Sequence, residues 1–200
     1  MSWYIRLTRF LSAHMVFSQE AENSCGMASI MMINFKQKKG TMLAGLSAAG
    51  QVSAIPGIGQ AIAGPMASAA ISYAVTTEPA VYKAYTKVTG TPYDGSDYSD
   101  AKFFPQVLKD LGLGEWELFF SASESSFPAD AAAATKTAPI IARVKWAKGA
   151  HFVVIDEFHG NAACVCDPWD GEVHVTGMPP GQAAPYLPGD AVISFSLGGS

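Results

Sequence analysis

The sequence predicts an α+β domain with an antiparallel sheet. Helix-compatible segments dominate the first part of the chain. Short β-prone runs separated by Gly, Pro and Asp dominate the last third, and no repeat alternates the two. At 200 residues the chain fits one domain, 1–200, with 41–77 set apart as an uncharged insertion. A chain of this length buries a little over two-thirds of its unfolded surface, so it needs no disulfide or metal staple.

The elements follow in order. Trp3 to Phe17 mixes aromatic, polar and basic residues without a clear period and reads as irregular or a short strand. Asn23 and Ser24 are cap residues for a helix that starts near Cys25 and runs through Phe35. Lys36, Lys38 and Lys39 place positive charge in its last turn, and Gly40 is the expected stop. That helix is apolar nearly all round, which assigns it to the middle of the domain. Glu78 to Thr89 reads as a short helix, and Gly90 to Asp100 as a polar loop. Asp100 caps an amphipathic helix whose apolar side is Phe103, Phe104, Val107, Leu108 and Leu111, ended by Gly112. Ala131 to Ala134 reads as helix. Strands are expected at Trp116–Phe120, Pro139–Val144, His151–Ile155, Ala162–Cys166 and Ala191–Phe195.

Composition removes several function classes. Hydrophobic residues make up 49% and charged residues 15%, which excludes a disordered chain and points to a greasy segment or partner. The net charge is −4 with no basic block, so nucleic acid is not an expected partner. The N-terminal run is interrupted by Ser12, His14, Ser18 and Gln19, so no cleavable export signal is expected. Three cysteines are an odd count. Cys164 and Cys166 read as alternating on one strand toward opposite faces, a poor geometry for a bridge, and a reducing compartment follows. Zinc at this Cys-x-Cys with His151 or His174 is not expected, since zinc sites use wider spacings. No phosphate-cradling loop or dinucleotide fingerprint occurs, so no cofactor is expected.

From Thr41 to Thr77 there is no charged residue, and Pro56 and Pro65 break the Ala/Gly-rich stretch. The reading is a helical hairpin beside the domain, outside the support of any site. Its alternative is insertion into a membrane or a hydrophobic partner.

The chemistry starts with Cys25. At a helix start, free amides and the dipole favour an anion over a neutral thiol; a buried, inert helical cysteine is the plain alternative. Gln19 lies six positions upstream, in the loop before the helix. Its amide there would donate to an oxyanion alongside the Cys25 N–H. His151 opens an apolar strand after a Gly-containing turn, a position from which side chains reach clefts, although a half-exposed strand histidine is the bland reading. His14, His159 and His174 lack that context and read as surface residues. Asp167 closes the strand that should pair with the His151 strand. A carboxylate there would fix the imidazole tautomer, while a turn-forming Asp before Pro168 is the alternative.

In this order the segments Gln19…Ser24-Cys25-Gly26-Met27-Ala28-Ser29, Gly149-Ala150-His151-Phe152-Val153-Val154 and Asp167-Pro168-Trp169-Asp170-Gly171 resemble the papain-like cysteine peptidase superfamily. The bacterial branches, double-glycine leader peptidases and papain-like effector peptidases, are the most similar. The resemblance covers about residues 15–39 and 100–175. It implies Cys25 as nucleophile, His151 as general base, Asp167 as orienting residue and Gln19 as oxyanion donor. The fold it implies is a central Cys-bearing helix packed on an antiparallel sheet that bears the histidine. Met27 departs from the small or aromatic residue common after the Cys-Gly pair. The 41–77 insertion is longer than the family needs, and nothing upstream of Gln19 has the length of an inhibitory propeptide.

The expected function is therefore a cysteine peptidase (thiol protease) hydrolysing a peptide bond of a protein or peptide substrate. A deamidase or acyl transferase using the same triad is the near alternative. A membrane- or partner-inserting module with an incidental triad is the distant one. A bacterial effector or toxin, delivered into a target cell and held in check by an inhibitor or immunity protein, would unite the triad with the greasy segment. Otherwise the expectation is a cytoplasmic enzyme.

Overall fold

The computed structural model describes residues 2–48, 77–120, 123, 126–136, 138–146, 149–177 and 193–197. Its architecture is mixed α and β with antiparallel sheets, as the sequence predicts. Strands β1 (Ser2–Leu7) and β2 (Ala13–Ser18) form a hairpin. Helix α1 (Cys25–Ala48) follows, then α2 (Glu78–Thr89), a short 3-10 turn (Ala101–Phe103) and α3 (Phe104–Asp110). Next come β3 (Trp116–Phe120), α4 (Phe127–Ala134), β4 (Ile140–Trp146), β5 (Gly149–His159), β6 (Ala162–Asp167), β7 (Glu172–Gly177) and β8 (Ile193–Leu197). The six-stranded sheet has the order β3-β8-β4-β5-β6-β7.

Helix α1 is central, as its all-round apolarity requires: every residue from Ser24 to Phe35 is buried. It packs between β2 and β5. Val16 and Phe17 of β2, Met27, Ile30 and Ile33 of α1, Phe104 and Leu108 of α3, and Val154 of β5 share one core. On the other side of the sheet, Phe127 and Ala131 of α4 cover Ile140, Val153, Ile155 and Val165. The central strands β4, β5 and β6 thus bury residues on both faces of the sheet, one set under α1 and the other under α4.

Four local expectations are corrected. Trp3 to Phe17 is neither irregular nor one short strand. It is a hairpin in register from Ser2↔Ser18 to Leu7↔Ala13, closed by Thr8 N donating to Ser12 O (3.0 Å) and by the Thr8 and Ser12 hydroxyls at 2.7 Å. Gly40 does not stop α1, which runs on through it to Ala48. A helical glycine costs only about 1 kcal/mol, and the Thr41-Met42-Leu43-Ala44 segment beyond it contains good helix formers. Helix-ending glycines with positive φ stand instead at Gly90 and Gly112. Cys164 and Cys166 do not face opposite ways: side chains alternate with period two, so residues two apart share a face. Here both lie near Lys36 and Asp156, and both are free thiols. Finally, His14 is not a surface residue but is 3% exposed.

Most of the 41–77 insertion, residues 49–76, lies outside the described residues. Among the described residues no helix is long and apolar enough to cross a membrane.

Candidate active site

The turn that leads into α1 is held from several sides. Ser24 precedes the helix, and its carbonyl accepts the first helical bond from Ala28 N at 2.9 Å. Its hydroxyl turns back instead of capping forward, bonding the Ala21 carbonyl and accepting from the Ala21 amide. Asn23 Nδ2 donates to Ser96 O at 2.5 Å, and the Tyr93 hydroxyl donates to Asn23 O at 2.9 Å. Glu78, fully buried at the start of α2, accepts from Glu20 N (3.1 Å) and from the Tyr82 hydroxyl (2.7 Å). Sequence reasoning missed Glu78. A lone acid at a helix start reads as a solvated first-turn charge, and only the tertiary fold buries it.

Gly26 explains the Cys-Gly pair in steric terms. A Cβ on it would stand 2.4 Å from Ser99 Oγ and 2.5 Å from Phe104 Cζ. Only a residue without a side chain lets the 99–104 segment close on the first turn of α1.

Three of the four expected residues come together. Cys25 begins α1 and is 8% exposed. His151 lies near the start of β5, buried at 2% exposure, and its Nε2 is 2.7 Å from Asp167 Oδ1 at the end of β6. The Cys25 thiol is within hydrogen-bond reach of the same imidazole. With Nε2 taken by the carboxylate, Nδ1 is the nitrogen left for sulfur. Asp167 Oδ1 also accepts the Trp169 amide at 2.8 Å, which fixes the carboxylate against the Pro168 turn.

The electrostatics follow from these contacts. Burial alone would push His151 down, but the Asp167 and Cys25 contacts outweigh it and raise the imidazole from 6.5 to about 9. His151 is therefore a cation at neutral pH, placed between a carboxylate and a sulfur. Burial is the largest cause lifting Cys164 to about 11 and Cys166 to about 12.

Gln19 spends its side-chain donors within its own turn. Its Nε2 donates to the carbonyls of Ala21 (2.8 Å) and Glu22 (2.9 Å), so both amide protons are used. Its backbone N–H donates to Pro168 O at 2.8 Å, tying this turn to the one after Asp167. A narrow cavity of about 50 Å³ opens at Cys25 and His151, lined by Glu22, Asn23, Tyr98, Ala150 and Trp169. Gln19 is not on its wall. Tyr98 (74% exposed) and Trp169 (37% exposed) give the cleft an aromatic rim.

No known protein family matches the chain, and no curated protein is significantly similar to it.

Proposed function

We propose that this chain is a papain-like thiol hydrolase that cleaves a peptide bond, with Cys25 as nucleophile, His151 as acid and base, and Asp167 as the group orienting the imidazole. The observation that carries the reading is the buried imidazole with Asp167 Oδ1 at 2.7 Å on one nitrogen and the Cys25 thiol at the other. Nucleophile, base and orienter in hydrogen-bonded series are the arrangement that covalent acyl transfer needs.

The reaction follows from that order. Cys25 sulfur, as thiolate, bonds to the substrate carbonyl carbon and pushes the carbonyl electrons onto oxygen. His151 gives its proton to the leaving nitrogen as the C–N bond breaks, leaving a thioester. Water then attacks the thioester, His151 takes its proton, and the C–S bond breaks to release the acid and the thiolate. Asp167 holds the ring in place and stabilises its charge throughout. The Cys25 N–H is the proposed fixed donor to the oxyanion. Gln19 joins it only after giving up its bonds to Ala21 and Glu22.

Peptide-library profiling by mass spectrometry, with wild type beside Cys25→Ala, tests the proposal. Hydrolysed peptides in the wild type alone support it. Activity retained by Cys25→Ala overturns it. Products in which a side-chain amide is converted to acid, or in which an amine replaces water, assign the same site to a deamidase or an acyl transferase.

A further inference from the structure

A second cluster of polar side chains lies at the opposite end of the β5–β6 pair, and the hydrolase reading uses none of it. The β5–β6 register slips between Ile155 and Glu157: Ile155 stands opposite Val165, but Glu157 stands opposite Cys164. The extra residue is Asp156. A bulge re-aims side chains, and this one lets the consecutive Asp156 and Glu157 both meet His14 of β2. His14 Nδ1 is 2.6 Å from Asp156 Oδ2, and its Nε2 is 3.2 Å from Glu157 Oε1 and 2.9 Å from Ser12 Oγ. His14, Glu157 and Cys164 each offer one ligand atom, and all three atoms lie within 4.8 Å of one another.

The deep half of the cluster already has its cation. Lys36, buried in α1, binds Asp156 Oδ2, and its Nζ is 3.6 Å from Cys166 Sγ. In the outer half, Glu157 Oε1 meets His159 Nε2 at 2.8 Å. Asp156 Oδ2 meets His14 Nδ1 at 2.6 Å, which turns Nε2 toward the Glu157 carboxylate. His14 Nε2 and Glu157 Oε1 stand 3.2 Å apart. That spacing suits two ligands on one tetrahedral ion with bonds near about 2.0 Å. An imidazole oriented by a carboxylate on its far nitrogen is the support that metal-binding histidines use.

We infer that His14 Nε2, Glu157 Oε1 and Cys164 Sγ form a binding site for a zinc-type divalent cation. Thiolate, imidazole and carboxylate together select such an ion over magnesium or calcium, which take oxygen ligands. The Cys164 thiol gives up its proton to solvent as the ion binds, so the sulfur ligates as thiolate. Lys36 and Asp156 keep their own pairing. The ligands come from β2, β5 and β6, so the ion would pin the N-terminal hairpin to the sheet. Beside the cluster, Phe10 at the hairpin tip stacks on the His159 ring at 4.2 Å, and His159 Nε2 is 2.8 Å from Glu157 Oε1.

The test is cobalt(II) titration of the full chain, read by absorption and by metal content after dialysis. The site predicts one cobalt per chain with a sulfur-to-cobalt charge-transfer band, displaced by zinc. Cys164→Ser should remove the band while leaving the near-UV circular dichroism unchanged. Glu157→Gln, at the exposed side, should weaken binding at least tenfold without a folding defect. Cys25→Ser and Cys166→Ser should keep the band. The inference falls if saturating cobalt gives no thiolate band in the wild type. It falls equally if the band survives Cys164→Ser but vanishes in Cys25→Ser or Cys166→Ser. Cobalt binding is read without any substrate, so its failure is distinct from failure of the hydrolase reading.

Discussion

Replacing Asp167 by asparagine removes the carboxylate from His151 and keeps the shape of the site. In the wild type the imidazole is lifted from 6.5 to about 9. At about 1.4 kcal/mol for each tenfold, that rise corresponds to about 3 kcal/mol of stability. The sign follows from a folded pKa above the unfolded one. The contribution is fully present below pH 6.5 and is lost as pH rises through about 9. The Asp167→Asn variant would leave the burial penalty in place and remove the largest favourable contact, so the imidazole would be neutral near pH 7. Urea unfolding at pH 6 and pH 9.5 measures the difference. Wild type should lose about 3 kcal/mol more than Asp167→Asn between those values. The alkaline limb of kcat/KM should also fall from near 9 toward neutrality in the variant, with a rate loss on the order of 10²-fold, less complete than that of Cys25→Ala. A stability gap independent of pH, or an unmoved alkaline limb, would refute the charged-pair argument.

Five further outcomes are expected. Limiting iodoacetamide on folded protein should label Cys25 before Cys164 and Cys166, which are fully buried; mass spectrometry finding either strand thiol labelled first would contradict this. Gly26→Ala should destabilise by about 1–3 kcal/mol in urea, because its Cβ meets Ser99 and Phe104 at 2.4 and 2.5 Å. Lys36→Met should cost about 3 kcal/mol, since it strips Asp156 of its buried ammonium. Glu78→Gln should be neutral or stabilising at pH 7, because burial holds this carboxyl above its ordinary range and Gln still accepts from Glu20 and Tyr82. Glu78→Ala should cost about 1–3 kcal/mol by orphaning those donors.

The sequence carried the order of elements because local signals there are strong. Asp100 accepts from the Lys102 amide at 3.0 Å, and Gly112 takes positive φ, each at its expected place. The approach of Cys25, His151 and Asp167 was legible as three weak local contexts in a fixed order. Other features were not local. The hairpin at the N-terminus depends on a turn held by the Thr8 and Ser12 side chains and by Leu11 at φ 61°, a conformation that no Gly or Asn announces. The burial of His14 depends on a bulge in β5, far along the chain. Lys36 looked like a helix-terminal charge because Gly40 looked like a stop. With the helix running on, the same lysine sits mid-helix and must find an anion inside.

The two clusters share one construction principle, and it bears on what can be changed. His151 and His14 are each buried imidazoles gripped by a carboxylate, Asp167 at 2.7 Å and Asp156 at 2.6 Å. What distinguishes them is the third partner. His151 turns its other nitrogen toward a thiol at a helix start, beside the cleft rimmed by Tyr98 and Trp169. His14 turns its other nitrogen toward the Ser12 hydroxyl and a second carboxylate, Glu157, against strands packed on the core. A base needs access, whereas a strut needs enclosure. Exchanging the third partners, rather than the histidines, is therefore the change that would blur the roles. Glu157→Leu should leave His14 with Asp156 alone and loosen the hairpin, raising amide exchange along β1 and β2 while kcat of the Cys25 site stays unchanged. Unaltered exchange in both strands would show that the Glu157 contact does no tethering.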